Sequence, residues 1–448
     1  MSRRRVLKAG GAVAAGVGLG GLTACSGTGA SAGGAGSAGD PPRKGDITVW
    51  SWAGPAAELR ALVPAFNKKF PDVKVTVQDI GNPAIWDKIT TAMAAGGAGL
   101  ADVLHIGVDY LPGYVEKFPG QLADLGPLGA TAHKDAFAAG LWATVCPDGK
   151  KVNALPWEAN SGGFYYRADL FEKAGVDVAA IGTWDDAIEA GKKIKAKTGH
   201  TLLGIDKPAS QADSANLFQM LLQLQGTMFF DSDGRITLAT PEAVRAMTII
   251  KDMNDAGLVA DISGGWNALI GSIKKGTSAV LPWPTWFGGI IEETVPDQAG
   301  KWGVRLPPSV RPGGTRSATV NSTHLAVAGT SKHQAAAWSF VEFALTRPES
   351  QVAIYKAKGI APALLKAYDD PVFHQPSAFF SGQKKGEIFL DALRAPQPAF
   401  HYTGDYARAL KAVTDAQTKV LLKGADPATV LAAAADQLAK QTGRKVVR

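Results

Sequence analysis

The chain of 448 residues holds only two cysteines, Cys25 and Cys146. A disulfide framework is excluded, and stability has to come from packing. The 7 histidines form no His-Glu-x-x-His pair, and neither a Cys-x-x-Cys nor a Gly-x-x-x-x-Gly-Lys-Ser/Thr run occurs. Those absences remove the commonest zinc sites and the phosphate loop, so no catalytic residues, no metal and no cofactor are assigned. A positive excess is missing as well. Lys plus Arg number 47 against 40 Asp plus Glu, and Arg3, Arg4, Arg5 and Lys8 fall in a leader, leaving 43 against 40. So scattered a balance gives no nucleic-acid partner.

There is also no apolar run long enough to span a bilayer. Ala9 to Ala24 is uncharged but short and rich in glycine, which suits an export signal rather than a membrane helix. Ser2-Arg3-Arg4-Arg5-Val6-Leu7-Lys8 resembles a twin-arginine signal with Val6 in the usual aromatic position. Leu22-Thr23-Ala24-Cys25 reads as a lipobox, making 1–24 the signal and Cys25 the lipidated first residue of the mature chain. Residues 25–45 are nearly all Gly, Ala, Ser and Pro, a composition that forms a flexible tether. The expected location is the outer face of a bacterial cell membrane, held there by lipid.

Beyond the tether the periodicities alternate. Ile47 to Trp52 reads as a buried strand, and Leu59, Leu62, Val63, Phe66 and Phe70 share a helical face, although Pro64 should kink that helix or confine it to its first turns. Val73, Val75 and Val77 mark a strand, Ala84 to Ala95 a helix, and Asp102 to Ile106 a further strand. A β-α-β-α-β order points to a mostly parallel sheet with ligands at the carboxyl ends of its strands. The alternation returns with strand Phe164 to Arg167, helix Trp184 to Lys197 behind a Thr183/Asp186 capping box, strand Leu202 to Ile205 and helix Asn216 to Gln225. A second α/β lobe follows. Ser331 with Gln334 suggests another capping box, and Asp426-Pro427 opens the last helix.

Three stretches carry a resemblance. They are Leu155-Pro156 through Gly163-Phe164-Tyr165-Tyr166-Arg167-Ala168-Asp169-Leu170-Phe171 to Thr183-Trp184; Gly276-Thr277-Ser278-Ala279-Val280-Leu281 leading to Trp283 and Trp286; and Ser331 to Leu345 followed by Gly359-Ile360-Ala361-Pro362. Their order resembles the family 1 extracellular solute-binding proteins, the group of the maltose-binding protein, which usually has Asn where Arg167 stands. The resemblance implies a two-lobed α/β periplasmic-binding-protein fold (type II-like), hinged over a ligand cleft, with 46–155 and 317–360 in one lobe and 156–316 and 361–448 in the other. It implies a sugar or small oligosaccharide as ligand, the permease subunits of an ABC importer as membrane partners, and a monomer. The alternatives are a membrane-anchored carbohydrate-active hydrolase, since paired carboxylates can converge in space, and a binding protein for a polyamine, peptide or metal chelate. A tryptophan-rich, neutral-leaning cleft would disfavour polyamines and metals.

A sugar needs aromatic planes for its C–H face and Asp, Glu or Asn for its hydroxyls. Among 11 tryptophans, Trp52 follows the first strand, with a core role equally open, and Trp266, Trp283 and Trp286 surround the second motif. Trp286 falls at the family's stacking position, Trp283 being the alternative if the register shifts. Asp109 and Tyr110 follow the third strand, where Asp109 could instead cap a helix. Glu158 and Asn160 precede the crossover, and one of them is expected on the ligand. Asn216 stands at a helix start as a contact or a cap, Asn321 on an expected crossing strand, and Tyr406 near the closing helices.

Overall fold

The computed structural model describes residues 43–209, 212–395 and 400–448. The leader, Cys25 and most of the expected tether lie outside them, and the first strand already begins at Gly45. Cys146 is a half-buried free thiol.

The first sheet has the order β2-β1-β3-β10-β4, with β1 Gly45–Ser51, β2 Val73–Asp79, β3 Val103–Gly107, β4 Leu155–Pro156 and β10 Thr323–Val327. The β1 strand runs parallel to both β2 and β3, and Ile47 and Val49 stand opposite Val75 and Val77. The late strand β10 then enters antiparallel between β3 and β4. The expected mostly parallel sheet therefore holds for the first three strands only. Pairing of β10 across some two hundred residues of sequence leaves no local periodicity to read. All five residues of β3 and of β10 are buried, as continuous apolar strands covered on both faces should be.

Helix Ala53–Lys69 covers one face of that sheet and runs unbroken through Pro64. Its buried stripe of Leu59, Leu62 and Phe66, with Phe66 edge-on to Phe340 at 5.2 Å, secures it despite the missing N–H, because tertiary packing supplies most helical stability. Phe340 belongs to helix Gln334–Leu345, which starts after His333 without a side-chain cap. The expected Ser331/Gln334 box is absent: Ser331 donates to Asp102 Oδ1 at 2.7 Å and Gln334 to the Gly329 carbonyl at 2.7 Å. This core continues through Leu364, Tyr368 and Phe373.

A second core surrounds β5 Phe164–Arg167, β6 Leu203–Ile205, β7 Val259–Asp261, β8 Val280–Leu281 and β9 Trp302–Arg305. Here β5 is sandwiched antiparallel between β8 and β9, while β6 and β7 pair in parallel. Helix Trp184–Thr198 carries the expected Thr183/Asp186 capping box, and Asp426 accepts from the Thr429 amide at 2.8 Å to start helix Pro427–Thr442. Among the described residues no helix is long and apolar enough to cross a membrane.

Candidate functional site

The strand ends of the first sheet set the first half of the site. Trp52 is the first residue after β1 and Asp109 follows β3 by two, so both stand at carboxyl ends of parallel strands, where the fold opens. Asp109 is not the N-cap residue: helix Leu111–Lys117 begins after Tyr110, and the Asp109 carboxylate accepts from its own and the Tyr110 backbone amides. Trp52 lies flat on the imidazole of His105, with centroids 4.1 Å apart and planes at 19°. His105 is fully buried and held at both nitrogens, Nδ1 2.9 Å from Ser51 Oγ and Nε2 2.8 Å from Thr323 Oγ1. Thr323 in turn donates to Glu158 Oε1 at 2.8 Å. With Glu158 ionised, Thr323 Oγ1 must accept from His105 Nε2–H, leaving Nδ1 to accept from Ser51. Burial holds His105 neutral, lowering it to about 3 with His324 as a second cause.

The aromatic array extends outward from Trp52. Trp86 meets it edge-on at 5.3 Å and stacks face to face on Tyr110 at 4.4 Å and 12°. A second array belongs to the other core. Trp266, an exposed ring, stacks with Trp286 at 6.0 Å; Trp286 stands edge-on to Trp283, also at 6.0 Å, and Trp283 lies on Phe287 at 4.6 Å.

Between the arrays runs a wall of amides. The buried Asn160 donates from Nδ2 to the Asn321 carbonyl at 2.8 Å, and Asn321 Nδ2 donates to Asn216 Oδ1 at 3.3 Å. Asn321 sits just before β10, not on a strand, with φ of +59°, a left-handed conformation that asparagine tolerates better than most residues. Asn216 is the first residue of helix Asn216–Gln223 rather than its cap. It lines a cavity together with Asp206, Asp213, Trp266, Pro282 and Trp283. Tyr406 takes no place on this wall: it is buried, stacks on Phe229 at 5.5 Å and donates to Gln219 Oε1 at 2.7 Å.

Electrostatics mark the same region. Desolvation pushes the Glu158 carboxyl up to about 7, opposed by hydrogen bonds from Thr323 and Asn160. Asp109 is pushed up to about 6, chiefly by desolvation, opposed by hydrogen bonds from its own and the Tyr110 backbone amides and helped by the charge of Asp213. Asp213 is itself raised by desolvation. The gap is thus acidic where the sequence reading expected it to lean neutral. Sequence reasoning missed Trp86, His105, Asp206, Asp213 and Thr323. Trp86 directly follows Ile85 in an apolar helix pattern, and only the aromatic at a helix start hinted at its role. Among the described residues no group of three or more His, Cys, Asp or Glu is arranged to hold a metal ion.

Two cores facing each other across aromatic planes and hydrogen-bonding side chains define a cleft-type solute-binding protein. Residues 50–351 match the model of the bacterial extracellular solute-binding proteins, and the chain belongs to that family. It is 28% identical over 407 residues to a lactose-binding protein of Rhizobium radiobacter, covering 89% of this chain and 93% of the relative. It is 26% identical over 357 residues to an arabinooligosaccharide-binding protein of Halalkalibacterium halodurans, covering 77% and 78%. Among solved structures, a binding protein of B. animalis subsp. lactis Bl-04 in complex with β-1,6-galactobiose superposes with a TM-score of 0.73 at 25% identity, covering 90% of this chain and 99% of that one. A family 1 extracellular solute-binding protein superposes with a TM-score of 0.76 at 20% identity, covering 88% and 99%.

Proposed function

We propose that the chain is the sugar-binding component of an ABC importer, taking a sugar or small oligosaccharide between the Trp52 array and the Trp266/Trp283/Trp286 array. The observation that carries this reading is the juxtaposition itself: two sets of aromatic planes, one on each core, joined by the Asn160–Asn321–Asn216 amide wall. Flat C–H faces stack on such rings, and hydroxyls exchange donors and acceptors with amides and carboxylates. Relatives that bind lactose and arabino-oligosaccharides, and a structural relative holding galactobiose, support the same class of ligand. Within the reading, Trp52, Asp109, Glu158, Asn216, Trp266, Trp283 and Trp286 contact the ligand. Asn160 and Asn321 position the wall, and Tyr110 acts through Trp86.

The family places the chain outside the cytoplasm. In the proposed reading a leader of 24 residues is removed, Cys25 carries the lipid, and a monomer on its tether hands the closed form to the permease. The hydrolase alternative finds no support, since the relatives named above are binding proteins. Calorimetric titration of the mature chain with lactose, arabino-oligosaccharides and β-1,6-galactobiose tests the proposal. Expected is one-to-one binding of at least one sugar with a negative heat-capacity change. Binding of a peptide or polyamine with no heat from any sugar contradicts it.

A further inference from the structure

The plane of Trp52 rests on one imidazole. His105 lies 4.1 Å from the indole at 19°, and Trp157, buried next to Glu158 in the chain, meets the same imidazole at 4.8 Å and 38°. That imidazole cannot turn without breaking two hydrogen bonds, Nδ1 to Ser51 Oγ at 2.9 Å and Nε2 to Thr323 Oγ1 at 2.8 Å. Thr323 continues the chain to Glu158 Oε1 at 2.8 Å. The four polar side chains come one from each of four adjacent strands or the segment just beyond: Ser51 ends β1, His105 lies in β3, Thr323 opens β10 and Glu158 follows β4, and the strands neighbour one another in the order β1-β3-β10-β4. All four are buried. From Glu158 the connection runs through Asn160 to the Asn321 carbonyl, and from the Asn321 amide to Asn216 of the second core.

We infer that His105 and Thr323 are positioning residues of the sugar site: the buried chain fixes the rotation of the imidazole, and the imidazole holds the Trp52 indole at the angle at which it stacks on the ligand. The inference rests on the sugar-binding reading above and adds two residues too buried to stack on a sugar themselves. Packing alone would be served by an apolar ring at position 105. Burying an imidazole, two hydroxyls and a carboxyl is costly unless each finds its partner, and a polar chain in which they do specifies a single arrangement of its members. Stacking rewards such fixity, since a sugar's C–H face gains full contact only from a plane held parallel to it. Removing the Thr323 hydroxyl releases Nε2, lets the imidazole turn and leaves the indole to be ordered by the ligand, which lowers affinity. The same loss has nothing to act on once the indole is gone.

A double-mutant cycle on the mature chain tests this by calorimetry with lactose, arabino-oligosaccharides and β-1,6-galactobiose, using whichever binds. Thr323→Val, close in shape and lacking the hydroxyl, is expected to weaken binding about fivefold, and Thr323→Ser, which keeps the hydroxyl, to stay within about twofold of the parent. In a Trp52→Ala background Thr323→Val should cost no more than about twofold, the part that acts through Glu158. Should Thr323→Val fail to fold, Ser51→Ala, which removes only the partner of Nδ1, takes its place: a severalfold loss in the parent that disappears in Trp52→Ala is expected. An equal loss with and without Trp52, a Thr323→Ser variant as weak as Thr323→Val, or parent affinity in Thr323→Val overturns the positioning role and leaves sugar binding intact. Failure of every sugar to bind the parent overturns the underlying reading and the positioning role with it.

Discussion

Glu158 and His105 stand at two points of one buried hydrogen-bond chain, and their ionisation moves stability in opposite directions. Glu158 is raised from 4.5 to about 7 by burial, so the folded chain holds its proton more tightly than the unfolded one. The stability this gives is fully present below pH 4.5 and is lost as the pH rises to about 7. His105 and His324 are both lowered from 6.5 to about 3; their contribution is present above pH 6.5 and is lost as the pH falls toward 3. Glu158→Gln keeps an acceptor for Thr323 and removes only the charge. Relative to the parent, the variant should be unchanged in denaturant midpoint at pH 4 and more stable at pH 8, by up to about 3 kcal/mol. Equal stability differences at the two pH values would show that Glu158 ionises freely. The sequence singled out Glu158 only together with Asn160, because both precede a recognisable motif. His105 was not legible, since a histidine inside an apolar strand pattern looks like any core residue until β10 arrives from far along the chain to hold its Nε2.

At the scale of elements, caps and strand ends decide how well each half of the site is held. Helix Trp184–Thr198 depends on its reciprocal box, in which the Asp186 carboxylate accepts from the Thr183 amide at 2.8 Å and the Asp186 amide donates to Thr183 Oγ1 at 3.2 Å. Thr183→Ala should cost about 1 kcal/mol in chemical denaturation and leave sugar affinity unaltered, because the helix lies behind β5. At the end of β10, Gly329 runs against the Gly120 carbonyl, which a Cβ at Gly329 would meet at 2.0 Å. The obstacle is backbone and has no rotamer to change. Gly329→Ala should therefore lower the thermal midpoint markedly, more than Thr183→Ala does. Local elements of this kind were readable wherever their signals were local: the capping box, the Asp426-Pro427 start and the alternating valines of β2 all match the structure. Signals broke down where tertiary packing overrode them, as at Pro64, or where the side chains of an apparent box found other partners, as at Ser331 and Gln334.

For the whole molecule the question is what holds the two cores together over the cleft. Helix Leu111–Lys117 of the first core touches the 403–405 segment of the second: Glu116 Oε2 accepts from the Gly404 amide at 3.1 Å, and Lys117 donates to the Gly404 carbonyl. Arg444 adds its bridge to Glu116. These contacts are partly exposed, so each contributes modestly, but they exist only when the cores are together. Glu116→Ala should then reduce sugar affinity a few-fold, by shifting the population toward the open form, without altering which sugar binds. X-ray scattering of the ligand-free variant should give a larger radius of gyration than the ligand-free parent. Identical radii and affinities would mean that these contacts do not hold the cores together.

The central claim is that a sugar lies between the two aromatic arrays, and tryptophan fluorescence titration with the best-binding sugar of the calorimetric panel tests it most directly. Both Trp52→Ala, on the first core, and Trp283→Ala, on the second, should weaken binding by about tenfold or more, since each removes one stacking plane. Parent-like affinity in both variants would contradict the account.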